Sequence, residues 1–203
     1  MVTSLRATSR TIADFLQRSF EDDPILSTVF GPPGTMRVYL NTPSDMTGAR
    51  IGLSVWLYRV VRDDATLNRP EQRITPELSR RVPLPLRLHY LLTPITNSNV
   101  DDALETEQVI LGKVLQCFHV HPQLAGTDLH DDFEGTDATV TVRLEILALD
   151  EMSRIWDAMD INYHTSLSYE VTVIEVEAGT EPILGPPVRV PLPEVGILVG
   201  GTA

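Results

Sequence analysis

Apolar and polar positions alternate most clearly over residues 83–122. Leu86, Leu88, Tyr90 and Leu92 share one face of an extended segment, with Arg87 and His89 on the other. That period of two is the mark of a half-buried strand. A polar loop over 93–100 follows. Asp102 and Glu105 then stand at a helix start, an acidic variant of the capping box that also suits the positive end of a helix. Leu104, Leu111, Val114, Leu115 and Phe118 recur at helical spacing, and Pro122 stops the run. The centre of the chain is thus predicted to be a strand and a long amphipathic helix that cover each other's apolar faces.

The flanks read in the same way. Residues 3–18 form a first helix, capped by Ser4, with Leu5, Ile12, Leu16 and Phe20 on its apolar side. Gly31-Pro32-Pro33-Gly34 is a turn, and 36–40 a short strand with Met36, Val38 and Leu40 on one side. A loop over 41–49 leads to the strongest strand, 51–61. Its two faces, Ile51, Leu53, Val55 and Leu57 against Trp56, Tyr58 and Val60, are both largely apolar. Such a strand is covered twice or packs on a neighbouring subunit. Residues 62–81 are polar, carry Pro70 and Pro76, and read as a surface excursion. After a second polar loop, 123–137, comes a strand over 139–147 with Val140, Val142, Leu144 and Ile146 inward and Arg143 and Glu145 outward. Asp150 caps a third helix, whose Met152, Ile155, Trp156 and Met159 make a buried stripe. The last strand, 167–176, points Leu167, Tyr169, Val171 and Val173 inward and then shifts phase to Ile174 and Val176, as at a bulge. From 179 onward Pro182, Pro186, Pro187, Pro191 and Pro193 exclude a central strand, while the aliphatics between them exceed those of an inert linker.

The expected architecture is α+β. Residues 1–178 make one domain with a single mixed or antiparallel sheet of about five strands and three helices packed on it. Residues 179–203 make an extended, proline-rich C-terminal arm that lies along its own surface or a partner's.

At 203 residues and 42% hydrophobic, the chain has the length and the apolar content for one core. A net charge of −12 argues against nucleic acid and against an anionic membrane surface as partners. The start of the chain has no apolar stretch of the kind a secretory signal needs, and no run approaches the roughly 18 residues of a membrane span. The expected place of synthesis is the cytoplasm. Cys117, the single cysteine, is expected to be a small core hydrophobe.

Each candidate for chemistry has a plainer reading. Gly31-Pro32-Pro33-Gly34-Thr35 begins like a phosphate loop, but Met36-Arg37-Val38 follows where Gly-Lys-Ser/Thr is needed. His119 and His121, with His130, Asp131 and Asp132 downstream, suggest a metal site on paper. At a helix end, however, residues two apart point about 200° apart. His89, Ser54 and an aspartate lack a nucleophile elbow. Asp63-Asp64 and Asp131-Asp132 are read as solvated loop acids, and Trp156 and Met159 as core. No catalytic, cofactor-binding or metal-binding residue is expected.

Four words of the sequence carry a resemblance: LHYLLTP at 88–94, the Leu-Gly pair Leu111-Gly112 in the long helix, Ile155-Trp156 in the third helix, and SYEV at 168–171. Together with the hydrophobic pattern from about Leu5 to about Glu177, most strongly over 83–177, the chain resembles the cap or tube-terminator family of extracellular contractile injection systems, phage-tail-like particles such as the antifeeding prophage. The resemblance implies a structural protein, not an enzyme. It implies a homohexameric ring at the baseplate-distal end, with the inner tube protein and the sheath protein as partners and neither nucleic acid nor membrane. The particle is assembled in the cytoplasm and is either released or retained by the producing cell. The physical logic is that stacked rings leave a growing end, which a terminator matches on one face and does not reproduce on the other. The alternative is an adaptor tethering the particle end to a membrane or a cargo-loading partner, which calls for an extra domain or an apolar segment.

Overall fold

The computed structural model describes residues 4–46, 50–64, 72–75, 78–80, 84–96, 103–176 and 183–184, with side chains throughout except at 72–75, 78–80, 173–176 and 183–184. The expected cap at Asp102, residues 97–100 of the expected loop and nearly all of the arm lie outside these residues, while residues 93–95 of that loop are strand, since β5 runs to Ile95.

Helices α1 (Ser4–Glu21), α2 (Ser27–Phe30), α3 (Pro43–Met46), α4 (Ala103–Val120) and α5 (Leu149–Met159) surround strands β1 (Arg37–Tyr39), β2 (Gly52–Arg62), β3 (Gln72–Thr75), β4 (Leu78–Arg80), β5 (Leu84–Ile95), β6 (Gln123–Ala125), β7 (Thr139–Glu145), β8 (Leu167–Val176) and β9 (Ile183–Leu184). Six strands form one sheet in the order β1-β2-β5-β8-β7-β6. β1 runs parallel to β2, and every other pair in this sheet is antiparallel. This is the expected mixed sheet with one strand more. The extra strand is β6, at the start of the stretch read as a polar loop. Its Leu124, with Leu129 and Phe133, is buried in the core. Their spacing matches neither a strand nor a helix, so periodicity missed them.

The core lies on one face of the sheet. Leu88, Tyr90 and Leu92 of β5 meet Leu53 and Val55 of β2 and Val171 of β8, under Ile12, Leu16 and Phe20 of α1 and Ile110, Val114 and Phe118 of α4. Phe118 packs edge-on against Tyr169 at 4.9 Å between ring centres. Two expected stripe residues are out of phase. Leu104 is 72% exposed and Leu115 is 38% exposed, while Ile110 and Cys117 turn inward. The buried face of α4 is therefore centred one residue off the stripe the pattern suggested. Leu5 of α1 and Leu40 after β1 are likewise exposed.

The opposite face is covered in part. Leu91, Thr93 and Ile95 of β5 are buried there, and α3 packs on β2 and β5 with Met46 fully buried. β2 is thus enclosed on both sides over residues 52–55 and open beyond, where Arg59, Val60 and Arg62 are exposed. The phase shift read in the last strand is real. Leu84 pairs with Val176 but Leu86 pairs with Val173, so β8 carries an extra residue. A second irregularity falls in β2 at Tyr58, between the pairs Leu57–Tyr90 and Arg59–His89.

Residues 62–81 are more than an excursion. β3 and β4 form a hairpin, and β9 adds to β4 in a separate sheet of three strands.

Candidate functional site

The polar positions of the central strands, read as facing outward, converge across the sheet. Tyr58 of β2, His89 of β5, Ser168 of β8 and Glu145 of β7 come from four adjacent strands. Ser168 Oγ donates to Glu145 Oε2 at 2.7 Å, and Tyr58 Oη donates to the same oxygen at 3.2 Å. His89 Nδ1 lies 3.0 Å from Glu145 Oε1. A carboxylate only accepts, so this nitrogen carries the hydrogen. Tyr58 sits at the irregularity in β2, between the pairs Leu57–Tyr90 and Arg59–His89. Burial alone would raise the Glu145 carboxyl, but the Ser168 hydroxyl, then His89, hold it below its ordinary value. Burial, with the Glu145 charge beside it, pushes the Tyr58 phenol up to about 12. Beside this cluster Arg87 bridges Asp63 at 2.9 Å and Glu170 at 3.4 Å. Asp63 is thus a paired acid, in contrast to the solvated reading. Both oxygens of Glu145 are taken up by neighbouring strands, so the cluster clasps β2, β5 and β8 to β7, while the buried His89 Nε2 has no partner among the described residues.

The other candidates do not converge. His119 lines a groove beside β7, whereas His121 packs edge-on against Phe15 at 5.7 Å between ring centres. His130 Nδ1 stands 3.5 Å from Asp14, and Asp131 pairs with Arg6 at 3.2 Å. Among the described residues no group of three metal-ligating side chains occurs. Ser54 donates to the Asn41 carbonyl at 2.7 Å and pairs with Thr93, about 13 Å along the strand from His89. The Gly31–Thr35 turn is closed by the residues that flank it, since Arg37 donates to the Phe30 carbonyl at 2.7 Å. Cys117 is buried, and burial raises its thiol, which leaves it unreactive. Trp156 is 2% exposed and meets the rings of Tyr163 and His164 at tilted angles. Among the described residues no helix is long and apolar enough to cross a membrane.

What remains is surface. A groove of about 500 Å³ runs between α4 and β7, floored by Val142, Leu144 and Tyr169 and walled by Leu115, Phe118 and His119. The pattern placed Leu144 and Ile146 inside, but they are 52% and 94% exposed. Leu144 lies in the groove that α4 leaves open, and Ile146 lies beyond the end of β7. At its edge β7 is paired by β6 only over Thr139–Thr141. Val142 donates outward to the Pro122 carbonyl at 2.8 Å, so by alternation Leu144 also turns its N–H and C=O outward. No strand among the described residues meets it there.

Residues 7–190 match the family of the Pvc16 N-terminal domain. The chain belongs to that family. As a Pvc16 N-terminal domain it shares its fold with the PVC sheath/tube terminator of an extracellular contractile injection system, solved in the extended state. That match has a TM-score of 0.56 at 15% identity and covers 98% of this chain and 64% of that one. The anti-feeding prophage cap, a tube terminating cap, matches with a TM-score of 0.51 at 16% identity over 98% of this chain and 61% of that one. The Pvc16 N-terminal domain here therefore spans under two thirds of either solved chain. A comparison with curated proteins finds no match. The resemblance to cap and tube-terminator proteins read from the sequence is borne out.

Proposed function

We propose that this chain is a structural terminator of a contractile, phage-tail-like particle. The observation that carries the reading is the shared fold, over 98% of the chain, with a sheath/tube terminator and with a tube terminating cap. In this reading copies of the chain close into a homohexameric ring at the baseplate-distal end of the inner tube. The ring stops tube growth and anchors the sheath. Its partners are other copies of itself, the inner tube protein and the sheath protein, with no part for nucleic acid or membrane. It does no catalysis, a reading supported by the Glu145 carboxylate being held by Ser168, Tyr58 and His89. It is assembled in the cytoplasm into a particle that is then released. Residues 1–178 act as the ring-forming domain and 179–203 as an extended arm. Either the arm or an open sheet edge joins the sheath by strand addition.

Electron microscopy of particles from a strain lacking the gene tests this. Tubes or sheaths of uncontrolled length, or no stable particles, are expected. Particles of normal length and end structure overturn it.

A further inference from the structure

We infer that residues 188–190 of a second copy close the open edge of β7, beside the groove under α4. The inference rests on the ring-forming reading above and names the contact that closes the ring. The edge is ready to pair. Leu144 directs its main-chain groups outward, and the exposed side chains of Leu144 and Ile146 stand beside the groove. The sequence Pro187-Val188-Arg189-Val190-Pro191 lies outside the described residues and has the matching pattern. Val188 and Val190 keep their N–H donors. Pro187 and Pro191 have none, and both share the parity of Arg189. An extended segment of this kind offers donors along one edge and is blocked by proline on the other. It can complete one sheet edge and cannot extend it further.

Charge selects the register. With Arg189 opposite Arg143 like charges would face each other, whereas opposite Glu145 the pair is of opposite sign. Run antiparallel, the second register sets Val190 against Leu144 and Val188 against Ile146, covering both exposed aliphatics. Pro191 then falls opposite Arg143, just where Pro122 already accepts the Val142 N–H and the pairing must stop.

The ring-forming reading makes the donor of this strand a neighbouring copy. In each copy Leu184 pairs with Leu78 of β4, so residues 188–190 start about four residues, at most about 14 Å of chain, from that pair.

The test mixes two full-length chains, one with Ile146→Cys and one with Val188→Cys, so that any link is intermolecular. Directly opposed residues of a hydrogen-bonded pair stand about 5.5 Å apart, within reach of a disulfide. A disulfide-linked heterodimer under oxidising conditions is expected. Adding Val190→Pro, which removes an inward donor, should weaken linking about tenfold. Adding Arg189→Pro, which removes only an outward donor, should leave it within about twofold. Absence of the link in a preparation that sediments as a ring overturns this contact and leaves the ring reading standing. So does equal damage from both proline variants, or a link found only inside one doubly substituted chain. A wild-type chain that stays monomeric at every concentration sinks the ring reading, and this contact with it.

Discussion

The two ends of the six-stranded sheet are finished differently. At β1 the outward N–H of Val38 donates at 2.8 Å to the side-chain oxygen of Gln17 on α1, whose own amide donates to Glu21 at 2.7 Å. A helix thus satisfies the edge from within the chain. At β7 the short β6 satisfies the first residues and leaves Leu144 facing outward with an apolar groove beside it. Unpaired edges invite association, and proteins usually cap, charge or cover them. One edge here is covered and the other, among the described residues, is open at Leu144, so strand pairing is possible in one direction only.

The largest expected effect breaks the covered edge. Gly52 lies at φ +140°, and a Cβ there would overlap the Arg37 carbonyl oxygen of the paired strand. Gly52→Val should cost about 3 kcal/mol or more in chemical unfolding, because β1 can no longer approach β2. A loss under about 1 kcal/mol would show that the β1 pairing is dispensable.

Next comes the clasp that ends on β7. Glu145→Ala leaves the hydrogens of His89, Ser168 and Tyr58 without their acceptor and should cost about 2–3 kcal/mol. Because this carboxyl is held below its ordinary value of 4.5, it stabilises the fold above that value. The contribution is lost as the pH falls through the lower folded-state value. Thermal melts should therefore drop on acidification below about pH 4.5, and Glu145→Gln should flatten that part of the curve. An unchanged acid limb in the glutamine variant would remove Glu145 from the account.

Smaller still is the cap on β1. Gln17→Ala frees the Val38 N–H and should cost about 1 kcal/mol. It should also make the β1 edge adhesive, seen as new concentration-dependent light scattering. The least effect on the single chain belongs to the open edge. Leu144→Ser is expected to change unfolding by under about 0.5 kcal/mol, since the side chain is half exposed, and yet to abolish ring formation in sedimentation. If instead it unfolds the chain and spares assembly, the contrast between the edges fails.

Much of the architecture was legible because it rests on local periodicity. The limits of the last strand, its bulge near Ile174, and Ile12, Leu16 and Phe20 on α1 all follow from spacing alone. The errors share one cause, dependence on what lies across from a residue. Leu144 and Ile146 alternate correctly with Val140 and Val142, but Leu144 lies in the groove α4 leaves open and Ile146 lies past the end of β7. Leu104 and Leu115 fit a helical stripe, but the sheet meets α4 one residue away. The clasp needed the register of four strands, which no window of sequence holds. Its only local sign was that Arg87, His89, Arg143 and Glu145 sit on polar alternates of otherwise apolar strands.

The small sheet sets an order of events. Ile183 pairs with Ser79, so a contact in the middle of the chain waits for residues made more than a hundred positions later. During synthesis the β3–β4 hairpin must remain without its third strand until the tail has left the ribosome. Closing so large a loop is slow relative to local steps. Those few main-chain bonds would thus register late, as a seal set after the larger sheet has formed.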